Sequence, residues 1–198
     1  MEKIRTFIAI KLSPEIISNI SRVQEELKRT SAQVKWVEPD NIHLTLKFLG
    51  HVTPEELEKV KITTKETLGP FAPFKMGVAS LGAFPKIKYP RVIWVGIDRG
   101  REELKRIAFS IEENLSKIGF AKEKRPFSPH LTLGRVKSSK GIERLIEALS
   151  LVKASNLGSI RVNRISIIES KLRPGGPIYA ALEEIPLKEQ GIAGSSGE

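Results

Sequence analysis

The tetrapeptide His-Leu-Thr-Leu occurs twice in this chain, at His43–Leu46 and at His130–Leu133. The chain has only three histidines, so two of them stand in identical local contexts. In a β-strand successive side chains point to opposite faces, so each copy places its leucines on one face and its histidine and threonine on the other. The repeat therefore predicts two equivalent half-buried strands, each presenting an imidazole and a hydroxyl to a concave face.

The elements predicted around the two copies follow the same order, which is strand, helix, histidine-bearing strand, helix and strand. The spacing agrees, because 36 residues separate Phe7 from His43 and 37 separate Ile93 from His130. The predicted elements are a strand at Thr6–Leu12, a helix from Ser13, a helix from Thr53 to about Leu68, a strand at Phe74–Leu81, a strand at Arg91–Asp98, a helix at Arg101–Ile118, a helix from about Lys140 to Leu149, and later strands in RVNRISIIES and PGGPIYAALEEIPL. Tyr89-Pro90 is taken as a boundary. We expect one domain over residues 1–188, with lobe-like repeats at about 1–90 and 91–188 paired about a pseudo-twofold axis, and a disordered tail at 189–198.

The composition limits the classes of protein that fit. The 198 residues carry 33 Lys and Arg against 23 Asp and Glu, a net charge of +10. The positive excess is spread over both halves, which favours a polyanionic partner such as nucleic acid. Cysteine is absent, so disulfide scaffolds and thiolate metal sites are excluded. No apolar run approaches membrane-spanning length, and we expect a cytoplasmic monomer.

If the two polar faces meet across one cleft, two histidines and two threonines converge there. Imidazole exchanges a proton near neutral pH, so a protonated and a neutral histidine can act on opposite sides of one phosphorus. The hydroxyls of Thr45 and Thr132 can donate hydrogen bonds to phosphate oxygens. This chemistry requires no metal, and no cluster of metal ligands is evident, so we expect neither a metal nor another cofactor.

The chain resembles the 2H phosphoesterase superfamily, which is defined by two His-x-Thr/Ser-x motifs. Within it, the match is to the LigT-like RNA 2′,3′-cyclic phosphodiesterases, also called 2′-5′ RNA ligases. The sequence segments on which this resemblance rests are RTFIAIKL, HLTLKFLG, RVIWVGI, PHLTLGR and SKLRPGGPIYAAL. Together they extend from Arg5 to Leu182.

The resemblance implies a bilobal α+β fold with two antiparallel sheets facing a central cleft. It implies hydrolysis of an RNA-terminal 2′,3′-cyclic phosphate to a 2′-phosphate. It also implies ATP-independent, reversible joining of a cyclic-phosphate end to a 5′-hydroxyl end, with RNA such as tRNA halves as the partner. Two alternatives remain open: a phosphodiesterase for a small cyclic nucleotide or an ADP-ribose cyclic phosphate, and an RNA-end-binding module without turnover.

Four further residues are candidates for substrate binding. Arg135 follows the second motif in the same strand, and we expect it to face the same way and contact phosphate. Phe48 can stack on a terminal base or pack in the core. Arg91 and Lys47 are expected to face the cleft. His51 is interpreted as an incidental surface residue.

The sequence also suggests roles for the two histidines and for one loop. His130 is assigned as the base that deprotonates water, because Arg135 could hold the phosphate for attack, and His43 as the acid that protonates the leaving O3′. The basic stretch at Lys117–Phe127 precedes the second motif. It can guide an RNA backbone through salt-sensitive contacts or form a solvated loop.

Overall fold

The computed structural model describes residues 3–174 and 176–188. The strands are β1 (Ile4–Lys11), β2 (Val34–Trp36), β3 (His43–Val52), β4 (Phe74–Lys86), β5 (Tyr89–Arg99), β6 (His130–Val136), β7 (Ser159–Val162), β8 (Arg164–Arg173) and β9 (Gly176–Pro186). The helices are α1 (Pro14–Lys28), α2 (Pro54–Leu68), α3 (Arg101–Ser116) and α4 (Ile142–Leu151), and a 3-10 turn lies at Pro39–Asn41. The tail at 189–198, for which the sequence predicts disorder, lies outside the described residues.

Two antiparallel sheets form the frame of the protein. The first has the strand order β3-β1-β8-β9 and the second has the order β2-β6-β5-β4-β7. The run β3-β1-β8 corresponds to β6-β5-β4, because each places a histidine strand beside the first strand of its own half. The predicted α+β fold with two antiparallel sheets and a duplicated plan is confirmed.

The two halves of the chain exchange their last equivalent strands. β4 belongs to the first half but pairs with β5 in the second sheet, whereas β8 belongs to the second half but pairs with β1 in the first sheet. Each sheet is therefore built from both halves.

Helices cover one face of each sheet. α2 and α3 pack together, with α2 and α3 against β3 and α2 also against β9 of the first sheet. α1 and α4 pack together, and Gln24 of α1 donates a hydrogen bond to the Leu133 carbonyl of β6 in the second sheet. The apolar side chains between helices and sheets form one continuous core that includes Ile8, Leu44, Ile93 and Leu131. Burying apolar area of this kind is the main stabilising contribution to folding. The opposite sheet faces remain free to form the site.

The helix starts follow the predicted capping signals. The Ser13 hydroxyl accepts a hydrogen bond from the Ile16 amide, with Pro14 in the first turn. Thr53 and Glu56 form a reciprocal capping box ahead of α2. Such caps satisfy amides that have no partner within the helix, so these boundaries could be predicted locally.

The region around Tyr89-Pro90 differs from the prediction. β4 continues to Lys86, beyond the predicted end at Leu81, and β5 begins at Tyr89. The two strands form one long hairpin, with Pro85 opposite Pro90 next to its turn. Tertiary pairing thus overrides the tendency of these prolines to end a strand.

No helix among the described residues is long and apolar enough to cross a membrane.

Candidate active site

The two motif histidines are held in the same way. Nδ1 of His43 lies 2.7 Å from the carbonyl oxygen of Asn41, and Nδ1 of His130 lies 2.7 Å from that of Ser128. A carbonyl oxygen only accepts hydrogen bonds, so each Nδ1 carries the proton. Nε2 is then the atom that can take up or release a proton, and the duplicated backbone gives both rings this tautomer.

Both imidazoles are easier to deprotonate than a free histidine. Burial lowers the pKa of His43 below its ordinary value, and the hydrogen bond to Asn41 opposes that shift. Burial also lowers the pKa of His130, and the nearby positive charge of Arg135 adds to the effect, while the hydrogen bond to Ser128 opposes it. Desolvation and a like charge both disfavour the imidazolium form. At neutral pH both rings therefore favour the neutral state.

His43 lies among aromatic rings of the first sheet. Phe7 of β1 stacks on the imidazole at 4.7 Å between centroids, and Tyr179 of β9 meets it edge to face at 5.2 Å. Asn41, whose carbonyl holds His43, donates a side-chain hydrogen bond to the Pro177 carbonyl at 2.9 Å. The last strand therefore supports the first histidine, although the two lie far apart in the sequence.

His130 lies among aromatic rings of the second sheet. Phe84 of β4 meets the imidazole edge to face at 4.9 Å, and Trp94 of β5 lies 5.2 Å from Phe84. Trp94 pairs with Thr132, so its indole shares the motif face. A Cβ at Gly82 would lie 2.4 Å from that indole, so the missing side chain lets the ring lie flat on β4.

A β-bulge follows the motif in each histidine strand. In the first copy Ala9 pairs with Thr45 but Ile8 pairs with Lys47, so Leu46 is the extra residue. In the second copy Trp94 pairs with Thr132 but Ile93 pairs with Gly134, which leaves Leu133 as the extra residue. A bulge reverses the alternation of side chains along the strand.

The second bulge determines where Arg135 lies. Arg135 is three residues after Thr132, so on a regular strand it would face away from the motif. The extra residue returns it to the motif face, where it pairs with Val92 and its charge acts on both His130 and Tyr179. The backbone carbonyl of the extra residue keeps its hydrogen bonds within the protein. The Leu133 carbonyl accepts them from the Val37 amide and from the Gln24 side chain.

The first bulge places Phe48 at the equivalent position. Phe48 pairs with Phe7, its ring centroid lies 6.1 Å from that of Phe7, and its side chain is 57% exposed. An aromatic ring this exposed is not part of the core. Of the two readings of Phe48 from the sequence, core packing is therefore wrong, and a stacking surface remains.

Lys47 lies on the opposite side of the sheet from the site. Lys47 lies two residues after Thr45, so a regular strand would point both side chains toward the cleft. The bulge instead turns the Lys47 side chain to the face that the helices cover. Its side chain is 1% exposed and its Nζ lies 2.8 Å from Oε1 of Glu112 on α3. The expectation that Lys47 faces the cleft assumed an unbroken strand alternation and is corrected here.

The remaining sequence candidates occupy different positions. The Thr45 and Thr132 side chains are half-buried. Arg91 is exposed beside a register shift in β5, and no contact within the described chain ties it to either histidine. His51 is exposed near the end of β3, opposite Arg5.

Tyr179 is a site residue that the sequence reasoning missed. It touches His43, and its phenol lies within the electrostatic influence of Arg5 and of Arg135 on the other sheet. Burial raises the pKa of Tyr179, against the opposing effect of the two guanidinium groups, so the hydroxyl stays protonated at neutral pH. The charge of Arg135 on the second sheet thus acts on Tyr179 of the first sheet, and Tyr179 contacts His43.

The groups gathered around the two histidines are suited to proton transfer beside an anion. Two Nε2 atoms can exchange protons, three hydroxyls can donate hydrogen bonds, and Arg135 supplies a fixed positive charge. Across the described ranges, 3–174 and 176–188, no group of three or more metal-binding side chains comes together.

Comparison with known proteins gives a consistent result. The family described as LigT like Phosphoesterase matches twice, over residues 10–94 and 95–179. The RNA 2′,3′-cyclic phosphodiesterase of Methanothermobacter thermautotrophicus is 38% identical over 181 residues, covering 91% of this chain and 97% of that protein. The protein of the same name from Aeropyrum pernix is 35% identical over 178 residues, covering 89% of this chain and 99% of its own.

A solved structure shares the fold. E. coli LigT in its apo form superposes with a TM-score of 0.78 at 24% identity, covering 96% of this chain and 100% of LigT. The two family matches together span most of the sequence, and their junction between residues 94 and 95 falls inside β5. The fold and the paired motifs define a duplicated phosphoesterase. The chain belongs to the LigT-like phosphoesterase family.

Proposed function

We propose that this protein hydrolyses the 2′,3′-cyclic phosphate at the end of an RNA to a 2′-phosphate, without a metal ion. The observation that carries the proposal is the pair of equivalent imidazoles, each with Nδ1 hydrogen-bonded to a backbone carbonyl, which leaves Nε2 as the atom that exchanges a proton. The names of the relatives from Methanothermobacter and Aeropyrum support the substrate class. The net charge of +10 suits an RNA partner.

In the proposed reaction His130 is the base and His43 is the acid. Nε2 of His130 takes a proton from water, the water oxygen forms a bond to phosphorus, and the bond from phosphorus to O3′ breaks. Nε2 of a protonated His43 gives its proton to the departing O3′, which leaves a 2′-phosphate. The charge of Arg135 supports this assignment, because it favours the neutral, basic form of His130.

The groups around the histidines would bind the phosphate and the base. Arg135 and the hydroxyls of Thr45, Thr132 and Tyr179 would donate hydrogen bonds to the non-bridging oxygens as charge develops there. Phe48 would stack on the terminal base, a contact that every base can make. Arg91 remains a proposed contact at the rim of the site.

We also propose that the same site joins RNA ends. If the 5′-hydroxyl of a second RNA replaces water, the displacement gives a 2′-5′ linkage. The energy of the cyclic ester drives this step, so ATP is not needed. The reverse reaction uses the same two proton transfers.

The decisive experiment uses an RNA oligonucleotide that ends in a 2′,3′-cyclic phosphate, incubated with the protein in excess EDTA. We expect conversion to a 2′-phosphate, identified by mass and by its separation from the 3′-phosphate isomer. An oligonucleotide that already ends in a 3′-phosphate is the control and should not change. Loss of turnover in EDTA with recovery on adding zinc or manganese would contradict the metal-independent mechanism.

The same assay separates the alternatives. Turnover of small cyclic nucleotides or of an ADP-ribose cyclic phosphate, but not of the oligonucleotide, would identify a small-molecule phosphodiesterase. Binding of the oligonucleotide with no change at its end would identify an RNA-end-binding module.

A further inference from the structure

A groove lies between the end of β3 and the segment that follows α3. Its walls are Phe48, Leu49 and Gly50 at the end of β3 and the segment 120–125 that follows α3. Phe48 is linked to His43 through the ring of Phe7. On the other wall, the segment continues to Ser128, whose carbonyl holds His130. One wall of the groove is therefore linked to His43 through two aromatic rings, and the other wall continues along the chain to the residue that holds His130.

A buried ion pair holds the second wall in place. Nζ of Lys47 lies 2.8 Å from Oε1 of Glu112 and donates to the Ala121 carbonyl at 3.0 Å. Oε2 of the same carboxylate accepts a hydrogen bond from the Glu123 amide at 3.1 Å. Burying two charges is expensive and often gives no net stability. The pair is better explained by what it does locally, which is to bind two backbone groups of an otherwise exposed segment.

The segment presents positive charge to the groove. Phe120 and Phe127 pack against the core at its two ends, and residues 121–126 between them are exposed. Lys122 pairs with Glu113 on α3. Lys124 and Arg125 line or border the groove, and neither has an ion-pair partner among the described residues.

We propose that this groove binds the RNA chain on the 5′ side of the nucleotide that carries the cyclic phosphate. The inference rests on the proposed function, which places the cyclic phosphate between the histidines and the terminal base on Phe48. The chain must then leave the site past Phe48, where Lys124 and Arg125 meet its phosphates. The Lys47–Glu112 pair acts as a positioning device that fixes this wall.

The test compares a nucleoside 2′,3′-cyclic monophosphate with a hexanucleotide ending in a 2′,3′-cyclic phosphate. We expect K124A/R125A to lower kcat/KM for the hexanucleotide about tenfold more than for the mononucleotide. Each phosphate contact on a single strand contributes about 0.7 to the slope of log affinity against log salt. The salt slope for the hexanucleotide should therefore become shallower by about 1.4.

The matched control is K105A/R106A, which removes the same charge from exposed positions on α3 away from the groove. An equal effect of the two double variants on both substrates would overturn the inference, because it would reflect net charge alone. A second variant, K47M, should lower the hexanucleotide preference in the same direction if the ion pair positions the segment. Circular dichroism and thermal unfolding confirm that each variant is folded.

A binding measurement separates this inference from the proposed function. The probe is a fluorescent hexanucleotide ending in a 2′-phosphate, which needs no turnover. If the wild type hydrolyses neither substrate but K124A/R125A binds the probe more weakly than K105A/R106A, the groove stands and the proposed reaction is wrong. If the wild type is active and the two double variants bind equally, the reaction stands and the groove inference is wrong.

Discussion

The two copies of the motif, on β3 and β6, are equivalent at the histidine and the threonine but differ immediately afterwards. The fifth residue after the histidine is Phe48 in one copy and Arg135 in the other, and equivalent bulges place both on the motif face. The residue before it is the buried Lys47 in one copy and Gly134 in the other. The duplicated backbone thus supplies two similarly held imidazoles, while divergence at one position supplies an exposed aromatic ring on one side and a positive charge on the other.

The side chains around the two histidines differ in the same way, with aromatic rings around one and a positive charge beside the other. The first sheet surrounds His43 with Phe7 and Tyr179, and the second gives His130 the edge of Phe84 and the charge of Arg135. Under the proposed function this asymmetry would match a terminal nucleotide, which has a base at one end and a phosphate at the other.

The largest expected effects come from the two residues that are equivalent. His43→Ala and His130→Ala should each lower the rate of hydrolysis about 10²–10⁴-fold, because each removes a proton carrier. The double variant should hydrolyse the substrate only slightly more slowly than the less active single variant, since the two histidines act as a unit. Wild-type kcat should follow a bell-shaped dependence on pH, measured by steady-state kinetics.

A substrate with a much better leaving group at the O3′ position distinguishes the two histidines. This substrate should restore the activity of the His43→Ala variant and leave the His130→Ala variant inactive. Recovery of His130→Ala alone would reverse the acid and base assignment. Near-normal activity in either single variant would contradict paired proton transfer.

Arg135 should have the next largest effect. A hydrogen bond to a charged group contributes about 1.5–3 kcal/mol, so Arg135→Met should lower kcat/KM about 10–100-fold. Arg135→Lys should recover part of the loss, because it keeps the charge but not the forked geometry. Steady-state kinetics on the cyclic-phosphate hexanucleotide provide the measurement. Equal activity in Arg135→Met and the wild type would place the phosphate elsewhere.

Phe48, the counterpart of Arg135, should affect binding more than turnover. Stacking on a base contributes about 1–3 kcal/mol, so Phe48→Ala should raise KM about tenfold with little change in kcat. Phe48→Trp should preserve activity because it keeps a flat aromatic face. A fall in kcat with unchanged KM would show that Phe48 supports His43 through Phe7 rather than binding a base.

Removing the Tyr179 hydroxyl should have a smaller effect. Tyr179→Phe keeps the ring that packs on His43 and loses one neutral hydrogen bond, worth about 1 kcal/mol, so kcat/KM should fall about fivefold. The chain has one other tyrosine, Tyr89, which is 67% exposed and lies outside the site. Tyr89→Phe is therefore the matched control. A loss of the same size in both variants would remove Tyr179 from the reaction.

The smallest effect is a difference between the pKa values of the two histidines. Arg135 lowers the pKa of His130 but is not among the causes of the shift at His43. Arg135→Met should therefore raise the pKa of His130 and leave that of His43 unchanged. Proton NMR titration can follow both rings, because the chain has only three histidines. A parallel shift of both would mean that the charge is shared across the cleft.

The part of the site that could be predicted from sequence is the part that depends on local periodicity. The alternation of side chains assigns His43 and Thr45 to one face and Leu44 and Leu46 to the other, and the structure agrees at both copies. Helix starts were equally predictable, because capping involves residues three or four positions apart.

The rest depends on long-range pairing that a local pattern does not contain. A bulge forms in response to the neighbouring strand, so Lys47 was placed on the wrong face, and the orientation of Arg135 needs an extra residue that alternation does not predict. Tyr179 reaches His43 only because β9 is added to the first sheet beside β8. The order of elements likewise gave no sign that β4 and β8 exchange sheets.

The exchange of strands has a consequence for the order of events during synthesis. Thr6 in β1 pairs with Glu169 in β8, so one side of β1 has no partner until roughly 160 more residues have been made. At about 5–20 residues per second this interval is about 8–30 s. Contacts of such long sequence separation also slow folding. Throughout that interval one edge of β1 presents unpaired backbone groups, which can pair with another chain and start aggregation.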